Sequence, residues 1–389
     1  MTENETLLAG YARTEITPRD SVPLDGFGNT TVRMSQWVRD PLYASCVALT
    51  DGEDNTVLLF SLDLARLPGA FLDPVRQDIA NYYGIPEDHM IFSCIHTQFG
   101  PDVKSREDSI RQYLDSLTMI LPALAGLALA DRRPAELYMG DVETKGMNFV
   151  RHYQAQPEDG QPFYFDENEK PAASLIQQRS AHVADADPTM YVLRITRENC
   201  KDLVVANFRC HSVLTGNARQ KFLTADAIGD FRAAAERRGD LDFVFFQGAA
   251  GNITNKSLIF ADMTTQDSLV WGDVMTDHLF RALRNMEAVA PAPICTKQVV
   301  LEDLELNAVT LGNLAIISAP GELFDTASVF VEENAPFAKV LTLGYANGDE
   351  GYLLPEGADE YAKYEAKHTR FAPGISETVA ETFVEMLRN

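Results

Sequence analysis

Long apolar runs are missing from this chain. The longest, Ile120 to Ala130, falls well short of the ~20 residues that cross a bilayer as a helix, and it reads as a buried helix segment. Cysteine is scarce: five residues, an odd number with no C-x-x-C spacing, do not make a disulfide framework. The opening residues, MTENETLLAG, carry two acids, no early Lys or Arg, and no apolar stretch before a small-residue cleavage site. That argues against a secretory signal, and the expected location is cytoplasmic. Basic residues are outnumbered, 33 against 57 acidic, for a formal charge of −24. Phosphate neutralisation dominates nucleic-acid affinity, so this balance argues against a nucleic-acid partner. Docking onto an anionic membrane surface is disfavoured for the same reason, and no integral membrane contact is expected. The acidity reads as a solubility device. No internal repeat and no Pro/Gly/Ser-rich hinge divides the chain, so residues 1–389 are expected to form one domain.

What is present is a core. At 46% hydrophobic over 389 residues the chain can bury a large interior. Short continuous apolar runs bounded by Gly, Pro, Asn or Asp predict strands covered on both faces. They are Thr56–Leu62, Met90–Ile95, Leu203–Phe208, Phe243–Phe246, Leu314–Ser318 and Val340–Leu343. Apolar residues at three- and four-residue spacing predict helices over Pro74–Tyr83, Ile110–Ala128, Ala225–Arg237, Asp267–Met286 and Ser376–Leu387. Tyr138–Thr144 and Gln298–Leu306 read as further, more exposed strands. The alternation predicts an α/β fold, a mixed β-sheet core flanked by helices. Met147–Pro188 differs: polar, without a period, yet holding Phe149, Tyr153, Phe163, Tyr164 and Phe165. A stretch so long without structure is uncommon unless it is functional, and its aromatics favour an ordered cover over the substrate.

Polar residues gather where these strands end. His96 follows Met90–Ile95, His211 follows Leu203–Phe208, and the Gln247-Gly-Ala-Ala-Gly251-Asn252 segment follows Phe243–Phe246. Glu322 comes just after Leu314–Ser318, and Tyr345, Asn347 and Tyr352 come after Val340–Leu343. Ligands in α/β sheets bind beyond the carboxyl ends of strands. Two imidazoles and a carboxylate are a common catalytic zinc set. Each residue alone has a plainer reading. A histidine at a strand end is an ordinary hydrogen-bonding group, and Glu322 is a favourable acid near a helix start. Tyr352 alone reads as packing, and no local motif such as H-E-x-x-H exists. The residues by themselves lead to an α/β hydrolytic enzyme with metal dependence left open.

In order along the chain, these segments resemble the catalytic domain of neutral/alkaline (non-lysosomal) ceramidases and their divergent bacterial homologues. The resemblance runs through Gly10-Tyr-Ala-Arg-Thr-Glu-Ile-Thr-Pro18, Gly26-Phe-Gly28, Asp40-Pro-Leu-Tyr-Ala44 and Ser61-Leu-Asp-Leu64. It continues through Cys94-Ile-His-Thr-Gln-Phe-Gly-Pro101, Asn207-Phe-Arg-Cys-His211, Gln247-Gly-Ala-Ala-Gly-Asn252 and Pro320-Gly-Glu322. Leu343-Gly-Tyr-Ala-Asn347, Gly351-Tyr352 and Tyr364-Glu365 close it. The resemblance implies one Zn²⁺ per chain on His96, His211, Glu322 and Tyr352, with Tyr364 beside the scissile amide. It also implies that the small C-terminal β-domain of ceramidases is absent.

Two departures bear on chemistry. Ceramidases have a second histidine where this chain has Gln98, and a serine where it has Gly248. The expected activity is therefore hydrolysis of an amide (N-acyl) bond in a small molecule by zinc-activated water, with ceramide itself disfavoured. Tyr364 is a donor to the developing oxyanion, and Gln98 and Gly248 complete the catalytic set. The Gly248–Gly251 backbone offers either an anion nest or a tight turn. Arg151, Gln247 and Asn252 are candidates for gripping substrate, and Asp226 reads as a helix cap. The alternatives are an ester, lactam or N-acyl-sugar hydrolase, a non-catalytic metal- or ligand-binding homologue, and a metal-free lyase or isomerase. Substrate identity and oligomeric state are left open.

Overall fold

The computed structural model describes residues 6–29, 32–158, 160–166, 180–259 and 267–388. The strand Thr56–Leu62 is buried at every position, and its alternating side chains enter two different cores. Leu58, Phe60 and Leu62 face one cluster, while Val57 and Leu59 face another. The same division holds for Phe243 and Phe245 against Val244 and Phe246. A strand covered on both faces needs a layer on each side.

The main sheet runs Leu241–Gln247, Asp202–Phe208, Thr189–Arg197, Arg133–Glu143, Leu7–Glu15, Tyr43–Thr50, Thr56–Leu62, Met90–Cys94. It is mixed: the outer pairs at both ends are parallel and the inner pairs antiparallel. One face carries the helices Gly69–Tyr83, Asp108–Ala130, Asp226–Arg238 and Ser268–Ala282, whose buried residues join its cluster. Phe60 and Phe92, register partners in adjacent parallel strands, stack at 4.1 Å within it. Each ring so buried is worth about 1.5–3 kcal/mol. The apolar run Ile120–Ala130 is too short for a membrane span, but the helix that contains it, Asp108–Ala130, meets that length and composition at 23 residues. Here it lies against the strands Leu7–Glu15 and Tyr43–Thr50.

The other face meets a second sheet, which the sequence reading did not separate from the first. Cys295–Leu301, Leu304–Leu311, Leu314–Ser318 and Lys339–Leu343 form it in that order. Its inner residues Val309, Leu314, Ile316 and Leu341 pack on the main sheet. Its outer residues Leu306, Ala315 and Val340 receive the helices Asp325–Asn334 and Ile375–Arg388. The layers are therefore helix, sheet, sheet, helix. The single strand expected over Gln298–Leu306 is a hairpin, with Glu302 and Asp303 both at positive φ, 47° and 69°. That geometry usually calls for Asn-Gly, so Glu-Asp gave no turn signal.

The described part of Met147–Pro188 is short strands. Phe149–Val150 pairs with Ile253–Thr254, and Ser180–His182, His152–Ala155 and Phe163–Asp166 make a three-stranded sheet. Residues 159 and 167–179 of that stretch lie outside the described residues.

Candidate functional site

The two edge strands of the main sheet, Met90–Cys94 and Leu241–Gln247, are joined at their carboxyl ends by residues 344–347. Gly344 N–H donates to Gln247 O at 2.9 Å, Cys94 N–H donates to Tyr345 O at 3.1 Å, and Asn347 N–H donates to Phe92 O at 2.9 Å. Glu322 and Tyr352 come from a separate two-residue parallel pair, in which they are direct register partners. Gly251 lets that pair approach, since a Cβ on it would stand 2.3 Å from the Glu322 carbonyl oxygen. Glu322 thus sits in a short strand ahead of the Asp325–Asn334 helix rather than in the helix's first turn.

His96, His211, Glu322 and Tyr352 come together as buried side chains, each 3–6% exposed. His96 Nε2 lies 3.7 Å from Glu322 Oε2, and the two imidazole rings meet edge to face at 4.9 Å. The tautomers follow from the hydrogen-bond network. His96 Nδ1 lies 3.0 Å from the Ala65 carbonyl, to which it can only donate, so the lone pair is on Nε2. Phe27 N–H donates to Gln98 Oε1 at 2.9 Å, which turns the Gln98 amide nitrogen toward His211 Nε2 at 2.8 Å. His211 Nε2 is therefore an acceptor. Burial, then His211 and Arg66, hold His96 well below the usual imidazole value. Burial and Arg151 push His211 down to about 3. Both rings are neutral.

Burial pushes Glu322 up to about 7 against the opposing pull of Arg66 and Arg151. Burial also pushes the Tyr352 hydroxyl well above its usual value. Arg151 Nη2 donates to Tyr352 Oη at 3.0 Å, and its Nε donates to Glu365 Oε1 at 2.6 Å. His152 Nε2 contacts the same carboxylate oxygen at 3.0 Å. Burial alone would raise Glu365, but Arg151 and His152 outweigh it and hold the carboxyl at about 2. Tyr364, next to Glu365, is half-buried with its ring centre 6.1 Å from that of Tyr352.

Other sequence candidates are engaged with the scaffold. Gln247 is fully buried, its amide donating to the Cys210 carbonyl. Asn252 exchanges hydrogen bonds with Asp325 at 2.7 and 2.9 Å, and its carbonyl accepts from Arg151 N–H. The Gly248 N–H donates to Phe208 O, and the Gly251 N–H to Leu323 O, so these two amides face the protein. Asp226 is the first residue of its helix, with Ala225 as the cap. Its carboxylate ties down the loop after His211 through Leu214 N, Thr215 N and Thr215 Oγ1. Sequence reasoning assigned no role to Arg66 or Tyr345. Arg66 pairs with Asp25 at 3.0 Å and Asp349 at 3.4 Å beside the site. Both lie just past strand ends, so the signal that found His96 applied to them too.

Among the described residues, no three His, Cys, Asp or Glu side chains stand grouped at metal-holding spacing. The donor chemistry nonetheless fits zinc: two neutral imidazoles that each present an Nε2 acceptor, one carboxylate and one phenol, all on buried side chains.

The fold is that of neutral ceramidases. The structure is similar to that of neutral ceramidase from Pseudomonas aeruginosa, with a TM-score of 0.77 at 16% identity, covering 98% of this chain and 74% of that one. A ceramidase complexed with C2 aligns with a TM-score of 0.77 at 14% identity, covering 98% and 75%. No family model matches the sequence, and no curated protein matches it.

Proposed function

We propose that this chain is a zinc-dependent hydrolase of an amide (N-acyl) bond in a small substrate. The observation that carries the reading is the fixed tautomer of both histidines. Ala65 holds the His96 Nδ1 proton and leaves its Nε2 lone pair toward Glu322, while the Gln98 amide marks His211 Nε2 as an acceptor whose lone pair a metal ion would take in the amide's place. His96, His211, Glu322 and Tyr352 would hold a zinc ion, which would supply Lewis acidity there and lower the pKa of a water toward about 7.

The chain's own residues do the rest. Arg151 bridges Glu365 and the Tyr352 hydroxyl, fixing the position of the phenol. Burial raises the Tyr364 hydroxyl above its usual value, so it keeps its proton at neutral pH and donates to the carbonyl oxygen as charge develops. A serine nucleophile has no seat at position 248. A Cβ there would stand 2.9 Å from Arg209 Cγ and 3.1 Å from Arg209 N. This supports water as the nucleophile. The test is a panel of N-acyl amides, esters and lactams, assayed with zinc and after chelation. Amide turnover that zinc restores is the expected result; turnover indifferent to chelation overturns the reading.

A further inference from the structure

Tyr345 enters the site because residues 344–347 close the gap between the two edge strands. The crossing forces a left-handed backbone, with φ of 52° at Tyr345 and 61° at Asn347. Asn tolerates that region, but an aromatic residue there is an outlier that the surroundings must hold in place. Here Cys94 N–H donates to the Tyr345 carbonyl at 3.1 Å, and Tyr345 N–H donates to Gly321 O at 3.3 Å.

The side chain so aimed is 4% exposed. Its ring stacks on His96 at 4.0 Å with 28° between planes. Its hydroxyl donates to Glu322 Oε2 at 3.4 Å, the same oxygen that lies 3.7 Å from His96 Nε2. One side chain therefore touches two of the four candidate ligands, one through its face and the other through its hydroxyl.

We propose that Tyr345 is a positioning residue of the metal centre, its hydroxyl orienting the Glu322 carboxylate and its ring fixing the plane of the His96 imidazole. The inference rests on the zinc reading above. Groups that orient metal ligands in this way typically change metal affinity or activity about ten- to hundredfold when removed. A residue that only filled space would act through its ring and volume, which phenylalanine retains.

The experiment compares wild type, Tyr345→Phe and Tyr345→Leu. Zinc affinity is read by competition with a chromophoric chelator, and ligand geometry by the visible spectrum of the cobalt(II)-substituted protein. Thermal unfolding of the metal-free proteins controls for folding. Tyr345→Phe is expected to bind zinc about ten- to hundredfold more weakly and to alter the cobalt spectrum. Tyr345→Leu, which also loses the ring, is expected to bind more weakly still. Wild-type affinity and spectrum in Tyr345→Phe would overturn the inference and leave the zinc reading standing. Wild-type protein that takes up neither metal would overturn both.

Discussion

The side-chain nitrogen of Gln98 lies 2.8 Å from Nε2 of His211. Its orientation is set from the other side, where Phe27 N–H donates to Gln98 Oε1 at 2.9 Å. Gly26 makes this approach possible: at φ 99° it has no Cβ, which would otherwise stand 2.3 Å from that of Gln98. The His211 lone pair can serve the amide or a metal ion, not both at once.

Gln98→Ala is therefore expected to bind zinc more tightly. A neutral hydrogen bond contributes about 1 kcal/mol net, which corresponds to about fivefold in affinity. Chelator competition on the two proteins checks this. Unchanged or weaker binding would mean that Gln98 does not compete for the ligand.

Gly248→Ser is expected to destabilise the protein by about 1–3 kcal/mol, the usual cost of overpacking a filled interior. The added Cβ would press on Arg209, at 2.9 Å from Cγ and 3.1 Å from N. Arg209 is itself fixed by Ser328, Asp187 and Glu332, so it has little room to give. Urea unfolding measures the loss, and a variant as stable as wild type would show that the loop can shift.

Glu365 makes stability depend on acid pH. Its folded-state value of about 2 lies below the ordinary carboxylate value, so its contribution is present above about pH 4.5 and lost as pH falls toward 2. The difference corresponds to roughly 3 kcal/mol. The stability gap between wild type and Glu365→Gln is expected to be full at pH 7 and less than half as large at pH 3. A gap independent of pH would contradict the assignment of a charged Glu365 held by Arg151 and His152.

Much of this was legible in the sequence because burial on both faces leaves a plain mark. Thr56–Leu62 and Leu314–Ser318 have the bounds their apolar runs predict. The strand-end rule drew attention to His96, His211, Glu322 and Tyr352, which the fold brings together. The second sheet was not legible, since a strand covered by another sheet reads the same as one covered by helices. Gln247 was a substrate-gripping candidate past a strand end, and only the packed structure reveals the Cys210 carbonyl as its partner. Tyr345 was visible past a strand end, but the positive φ that turns it onto His96 comes from pairing with both edge strands. Glu365 meets Arg151 across 214 residues of chain, a contact that no local pattern encodes.

Elemental mass spectrometry of purified protein supplied with zinc, wild type against Glu322→Ala, decides whether these four side chains hold a metal. About one zinc per chain in wild type, lost in the variant, is the predicted result. No zinc in either protein, or equal zinc in both, would contradict the site assigned to His96, His211, Glu322 and Tyr352.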